Sequence, residues 1–276
     1  MFSRVYVEIT NICNKSCSFC HGTKRAPKMM SIDEFSLVCD KLLGTTKYLY
    51  LHVMGEPTIH PNLYDFIRLA SENGFKVAIT TNGTLLDRCG EKLIAAGVYK
   101  VNISLHSFEF SEHEKHVEYL QKCLDFADIA SKNGVLTILR LWNGGVADTK
   151  NSETLALLHE KFPEPWHLGV RGARIRDKLH LEYADRFAWP DMGNENMGDD
   201  VFCYGLRDHL GILSDGTVIP CCLDSDGVID LGNIYRQSIN EILNSERAEK
   251  IKNGFQNKTA VEELCQKCPY ARRFKL

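Results

Sequence analysis

Eleven cysteines in a chain of 276 residues are distributed unevenly. Cys13, Cys17 and Cys20 stand together in EITNICNKSCSFCHG, spaced C-x3-C-x2-C. Three thiolates are one short of the four ligands that close a tetrahedral zinc site. On a cubic 4Fe–4S cluster they hold three irons and leave the fourth open, and thiolates are the soft donors such clusters take. The same residues also allow a zinc ion completed by His21. Toward the other end Cys203, Cys221, Cys265 and Cys268 form C-x17-C, a long gap, then C-x2-C. Four thiolates suit either a closed cluster or a tetrahedral zinc. Cys39, Cys89 and Cys123 fall on helical patterns and read as small core residues.

These ligands need elements to position them. VYVEIT, YLYLHVM, KVAITTN, KVNISLH and LTILRLW read as strands, with WHLGVRG as a sixth. Helical patterns lie between them. The first opens with the capping box Ser31 and Glu34, and four of them end at Gly44, Gly74, Gly97 and Gly134. Strand–helix alternation gives parallel strands joined by right-handed crossovers. The strands alternate: Val5, Val7 and Ile9 against Tyr6, Glu8 and Thr10; Leu49, Leu51 and Val53 against Tyr48, Tyr50 and His52. One face meets helices, and the other is polar yet covered, as in the lumen of an open barrel around a polar ligand. The expected fold is α/β, a partial (β/α)6 barrel over residues 1–175. A connection follows over 176–202, then a small cysteine-bearing domain over 203–276 with a hairpin turning at Asp215-Gly216 and one helix, SINEILNSERAEKIKNG.

Composition narrows the function. Thiols in this number, in a reducing compartment, are metal ligands sooner than disulfides. No apolar run approaches the roughly 20 residues of a membrane span, and MFSRVYVEIT lacks the regions of a signal peptide. A cytoplasmic location without membrane contact is expected. A net charge of −3 gives no general footprint for nucleic acid.

The first cysteine stretch, with Phe19 just before its third cysteine, resembles the cluster loop of radical S-adenosylmethionine (SAM) enzymes. In that family the open iron chelates SAM, and one electron from the cluster cleaves it to a 5′-deoxyadenosyl radical that abstracts a substrate hydrogen. The resemblance implies a flavodoxin- or ferredoxin-type electron donor. It extends to MGEP, where Gly55 and Glu56 match the motif that binds the SAM ammonium and Met54 replaces a glycine. Ser104 matches the ribose contact, and Arg140 is placed for the SAM carboxylate. Asn82, Ser107 and Asn143 are further candidates, all at strand C-terminal ends, where barrels put their sites. Read without the resemblance, Glu56 starts the next helix, and Arg140 pairs with Glu8 across the lumen.

The second set resembles the twitch domain, a shortened relative of the SPASM domain holding one auxiliary 4Fe–4S cluster. The spacing G-x4-C from Gly216 favours Cys221 over its neighbour Cys222 as ligand. In related dehydrogenases such a cluster takes the electron left after hydrogen abstraction, and a base then accepts the substrate proton. Glu8, His52 and His106 are the lumen candidates, although a hydrogen-bonded core histidine is an equal reading of the last two. The expected function is a radical SAM oxidoreductase carrying two 4Fe–4S clusters and SAM and acting on a small molecule or a peptide. A peptide maturase forming an epimer or cross-link is the alternative. The first strand starts almost at Met1, leaving no room for a leader-recognition domain, which weighs against a leader-guided peptide. The rival of another class is a non-catalytic zinc or electron-carrier protein. The basic run Arg171, Arg174, Arg176 and Lys178 is either a solvated face or an anion site beside the lumen.

Overall fold

The computed structural model describes residues 1–107, 113–142 and 151–274. A ten-stranded sheet runs β10-β9-β1-β2-β3-β4-β5-β8-β7-β6. Its strands are β1 (Arg4–Val7), β2 (Tyr48–Tyr50), β3 (Lys76–Thr81), β4 (Lys100–Ser104), β5 (Leu136–Leu141), β6 (His167–Gly169), β7 (Gly172–Arg176), β8 (Leu179–Tyr183), β9 (His209–Ile212) and β10 (Val218–Ile219). The ladder is parallel from β9 through β8, with antiparallel strands at both edges. Helices α1 (Ile32–Leu42), α2 (Leu63–Glu72), α3 (Leu86–Ala95), α4 (His113–Lys132) and α5 (Ser152–Lys161) follow the first five strands.

Local chemistry accounts for these elements. The Ser31–Glu34 capping box forms at α1, satisfying orphan N–H groups of the first turn. Gly44, Gly74, Gly97 and Gly134 all take positive φ just past their helices, the left-handed turn that glycine adopts without a Cβ penalty. Val5, Val7, Leu49, Leu51, Val77, Ile79, Val101, Ile103 and Leu139 are fully buried under the helices, where the stacked Phe35 and Phe66 join α1 to α2. Each such side chain contributes about 1.5–3 kcal/mol of burial. The sheet is strongly curved. Tyr6 of β1 and Tyr50 of β2 act electrostatically on Arg140 of β5, yet four strand spacings in a flat sheet would put β1 and β5 about 19 Å apart.

Three expectations change. The sixth parallel strand is β8, not WHLGVRG; His167–Gly169 is instead the outer strand of a β6–β7–β8 meander, so the parallel sheet continues beyond residue 175. The cysteine-bearing region also shares the sheet, because β9 pairs in parallel with β1. Its expected single helix is two, α6 (Ile239–Leu243) and α7 (Glu246–Gln256), broken where Ser245 caps the second; α8 (Glu263–Gln266) follows. The β9–β10 hairpin forms as expected.

Candidate active site

The Cys13–Cys20 loop is anchored at its neck. Thr10 bridges Met29, the Met30 N–H donates to the Ile9 carbonyl (2.8 Å), and Asn11 bonds Ala26 and Lys28 through its side chain. The MGEP turn presses against this neck. The Glu56 N–H donates to the Ile12 carbonyl (2.9 Å), and a Cβ on Gly55, at φ +77°, would lie 2.4 Å from the Thr10 carbonyl oxygen. Only glycine fits there, for both conformation and space. Above the neck Cys13 and Cys20 are exposed and Cys17 is half-buried. Asn82 Nδ2 reaches Cys13 Sγ (3.9 Å) and Asn14 Oδ1 (2.8 Å), tying the end of β3 to the loop. His21, the fourth ligand of the zinc alternative, stacks on Trp189 and pairs with Asp191 (3.4 Å).

The residues expected to contact SAM lie around this loop, with one revision. The Glu56 carboxylate accepts from Thr58 N–H (3.0 Å), Thr58 hydroxyl (2.6 Å), Thr81 hydroxyl (2.7 Å) and Asn82 N–H (2.6 Å). It braces the ends of β2 and β3, with three of these bonds on Oε1 and one, from the Asn82 N–H, on Oε2. Ser104, Arg140 and Glu182 share one level of the sheet, at the C-terminal ends of β4, β5 and β8. Arg140 Nε lies 3.4 Å from Glu182, so Glu182 and not Glu8 is its carboxylate partner, and its guanidinium covers the Trp142 ring at 4.4 Å. Phe19 contacts His106 (5.3 Å), which stacks on Trp142. Ser107 ends a short 3₁₀ turn, Leu105–Ser107; Asn143 lies outside the described residues.

Of the three candidate bases, Glu8 is spoken for. It is wholly buried and held by Arg25 at 2.6 and 2.7 Å, by the Ser214 hydroxyl (2.9 Å) and by the N–H groups of Ser214 and Met54. The result is a knot tying the cluster loop, β1, β2 and the β9–β10 turn. His106 Nδ1 lies against the backbone of Arg140 and Trp142. His52 contacts the Thr80 hydroxyl through Nε2 (3.2 Å), while its buried Nδ1 has no partner. Burial, helped by Arg140, Arg4 and Lys100, lowers the His52 pKa to about 3, so the ring is neutral at pH 7. Sequence reasoning missed Trp142, Glu182 and Trp189; only the last, in FAWP, is marked by an aromatic in an otherwise polar connection. The basic run is no lumen site as a group, since Arg176 binds Asp128 on α4 and Arg171, Arg174 and Lys178 are exposed.

The second thiol set comes together across 66 residues of chain. Cys203, Cys221, Cys265 and Cys268 are half-buried, and their thiols act on one another: Cys221 with Cys203 and Cys265, Cys265 with Cys203 and Cys268. Burial first, then this mutual proximity, pushes Cys221 and Cys265 well above the usual thiol range. Free thiolates are disfavoured there, and a bound metal is what stabilises them. Cys222 lies against the Tyr6 hydroxyl and Arg4, and it also acts on Cys221 and is acted on by Cys203. Among the described residues no three His, Cys, Asp or Glu side chains close on a single-ion point, and a four-iron cube is the larger group that both sets suit. The connection clasps both: Trp189 Nε1 donates to the Phe19 carbonyl, while Asn194 Nδ2 donates to the Trp189 and Lys267 carbonyls.

The comparisons agree with this geometry. Residues 7–149 match the radical SAM superfamily, and residues 203–269 match SPASM, an iron–sulfur cluster-binding domain. A probable GTP 3′,8-cyclase of Sulfurisphaera tokodaii is 26% identical, over 93% of this chain and 92% of that one. Another, of Methanococcus vannielii, is 31% identical over 82% and 86%. A solved structure of BtrN in complex with AdoMet and 2-DOIA shares the fold, with TM-score 0.62, 18% identity and coverage of 97% and 93%. No helix among the described residues is long and apolar enough to cross a membrane. With three thiols on a loop clamped to the barrel mouth and four more gathered beyond β9, the chain belongs to the radical SAM superfamily, an enzyme whose cofactors are 4Fe–4S clusters and SAM.

Proposed function

We propose that this enzyme dehydrogenates a small molecule in the barrel lumen, in two one-electron steps. The observation that carries the reading is the four-thiol set Cys203, Cys221, Cys265 and Cys268. Four protein ligands leave a cluster no open iron for substrate, and an electron-accepting role is what remains. Bound at Cys13, Cys17 and Cys20, a cluster with SAM supplies a 5′-deoxyadenosyl radical as hydrogen abstractor. The chain's own residues do the rest. The Gly55 turn, Asn82 and the Phe19–His106–Trp142 group shape the mouth. Ser104 and Arg140 offer a hydroxyl and a cation at one level for SAM's ribose and carboxylate. His52, neutral and with Nδ1 unpartnered, offers the reacting group a hydrogen-bonding nitrogen, and a ring held to about 3 passes the released proton on to water rather than keeping it. The electron comes from a flavodoxin- or ferredoxin-type donor, and a reducing cytoplasm suits thiols reserved for clusters.

The test is single turnover of the anaerobically reconstituted enzyme with candidate alcohols carrying deuterium at the reacting carbon. Dehydrogenation gives deuterated 5′-deoxyadenosine, one oxidised product and one electron on the auxiliary cluster. Deuterium transfer without that reduction favours redox-neutral maturase chemistry, epimerisation, instead. A second reading, action on a purine nucleotide, is favoured by relatives named GTP 3′,8-cyclase that align over most of the chain. It predicts consumption of GTP together with 5′-deoxyadenosine release.

A further inference from the structure

Below the Ser104–Arg140 level the lumen is cationic, aromatic and incompletely hydrogen-bonded. Arg4 and Tyr6 of β1, Tyr50 of β2, Lys100 and Asn102 of β4 and His209 of β9 lie on the sheet face opposite the buried valines and leucines. Tyr6 is the hub, with ring centroids 5.4 Å from Tyr50, 5.5 Å from His52 and 5.8 Å from His209, and Arg4 stands 5.7 Å over Tyr50. Four buried polar atoms of this chamber have no partner: Arg4 Nε, His52 Nδ1, Asn102 Oδ1 and His209 Nδ1.

The charges do not balance either. Arg4, Lys100 and Arg140 all bear on His52, whereas the one carboxylate acting on Lys100 and Arg140 is Glu182. Glu182 sits at the upper level, 3.4 Å from Arg140. The groups acting on Arg4 are the Tyr6 and Tyr50 hydroxyls and the Cys222 thiol. Burial drives the Tyr6 hydroxyl upward, so it is neutral at pH 7. His52 and His209 are kept neutral by burial and by Arg4. Arg4 and Lys100 are half-buried, and a cation short of counter-charge in such a site is the usual partner of an anion with hydrogen-bonding oxygens.

We propose that this chamber binds an oxyanion of the substrate, a phosphate or a carboxylate, through Arg4 and Lys100. The substrate is therefore a small anionic molecule. A guanidinium fork beside a lysine point charge matches either group, and the tyrosine hydroxyls and neutral imidazoles supply further bonds to the remaining oxygens. Arg140 is left for the SAM carboxylate, so the two ends of the lumen address two different anions. The inference rests on the lumen being the site of hydrogen abstraction.

The test is calorimetric titration of the reconstituted holoenzyme, without substrate, with inorganic phosphate and with acetate at constant ionic strength. R4Q and K100Q are titrated alongside R68Q, an exposed control on α2, after iron content and melting temperature have been matched. The wild type and R68Q should take up one of the two anions saturably, and R4Q and K100Q should weaken uptake at least tenfold. Saturation by phosphate alone marks a phosphorylated substrate; by acetate alone, a carboxylate. Absence of saturable uptake by the wild type, or equal uptake by R4Q and K100Q, overturns the proposal. Failure of the dehydrogenase reading would show elsewhere, as an auxiliary cluster left oxidised after turnover while oxyanion uptake persists.

Discussion

The two thiol sets differ in number, in exposure and in what surrounds them. The first is contiguous in sequence, lies on one loop, and leaves two of its three thiols exposed at the barrel mouth. The second is gathered from three separate stretches, and all four thiols are half-buried against one another. One is built to leave a coordination position for an incoming ligand, the other to leave none. On the proposed function, the contrast is how one chain divides radical generation from electron storage, with three thiols at the mouth and four beside the sheet, joined by one clasp.

The contrast can be broken most severely at the first loop. C13A, C17A or C20A should abolish SAM cleavage while leaving about four irons, measured by 5′-deoxyadenosine release and iron content. C221A should do the reverse, losing the auxiliary cluster and product while uncoupled SAM cleavage survives. C222A should keep roughly eight irons, two cubes' worth; a C222A protein with half that iron would reassign the ligand. Next in size, E8Q strips the charge from a wholly buried carboxylate whose partner Arg25 is partly exposed, and should cost about 3 kcal/mol in urea unfolding. The clasp sharpens the comparison from between the two sites. W189A loses a hydrogen bond to Phe19 and ring contacts to His21 and Phe187, and should lower stability by about 1–2 kcal/mol. The pH dependence draws on three histidines at once. Burial, with nearby cations, holds His52 to about 3 and His106 and His209 to about 4, against 6.5 unfolded. The unfolded chain therefore binds more protons below pH 6.5. Stability is complete above that value and falls as pH drops toward 4. Urea melts at pH 7.5 and 5.5 should show the decline, and H52N should flatten it.

Legibility followed the range of the interactions. Capping at Ser31, the helix-ending glycines and the alternation of Val5 and Val7 with Tyr6 are local, and each was readable. So were the Cys13–Cys20 spacing and the Asp215-Gly216 turn. β8 was missed because LHLEY is short and interrupted by His180 and Glu182, and its assignment depends on a parallel partner 42 residues earlier. The Glu8–Arg25 knot and the Arg140–Glu182 pair are choices among several possible ion pairs, made by a curvature that no local pattern encodes. Glu56 could be placed beside the loop but its brace could not be seen, since Thr58, Thr81 and Asn82 converge on it only once β2 and β3 pair. The break at Ser245 carried a signal, an Asn-Ser step before an acidic turn, that sequence reasoning could have used.

The most direct test of an open first site and a closed second one is electron paramagnetic resonance of the reduced holoenzyme with and without SAM, repeated on C221A. SAM should shift the signal of the cluster at Cys13, Cys17 and Cys20 in both proteins and leave the auxiliary signal unmoved. A SAM-induced shift of the auxiliary signal, or a loop that holds zinc and gives no signal, would contradict the account.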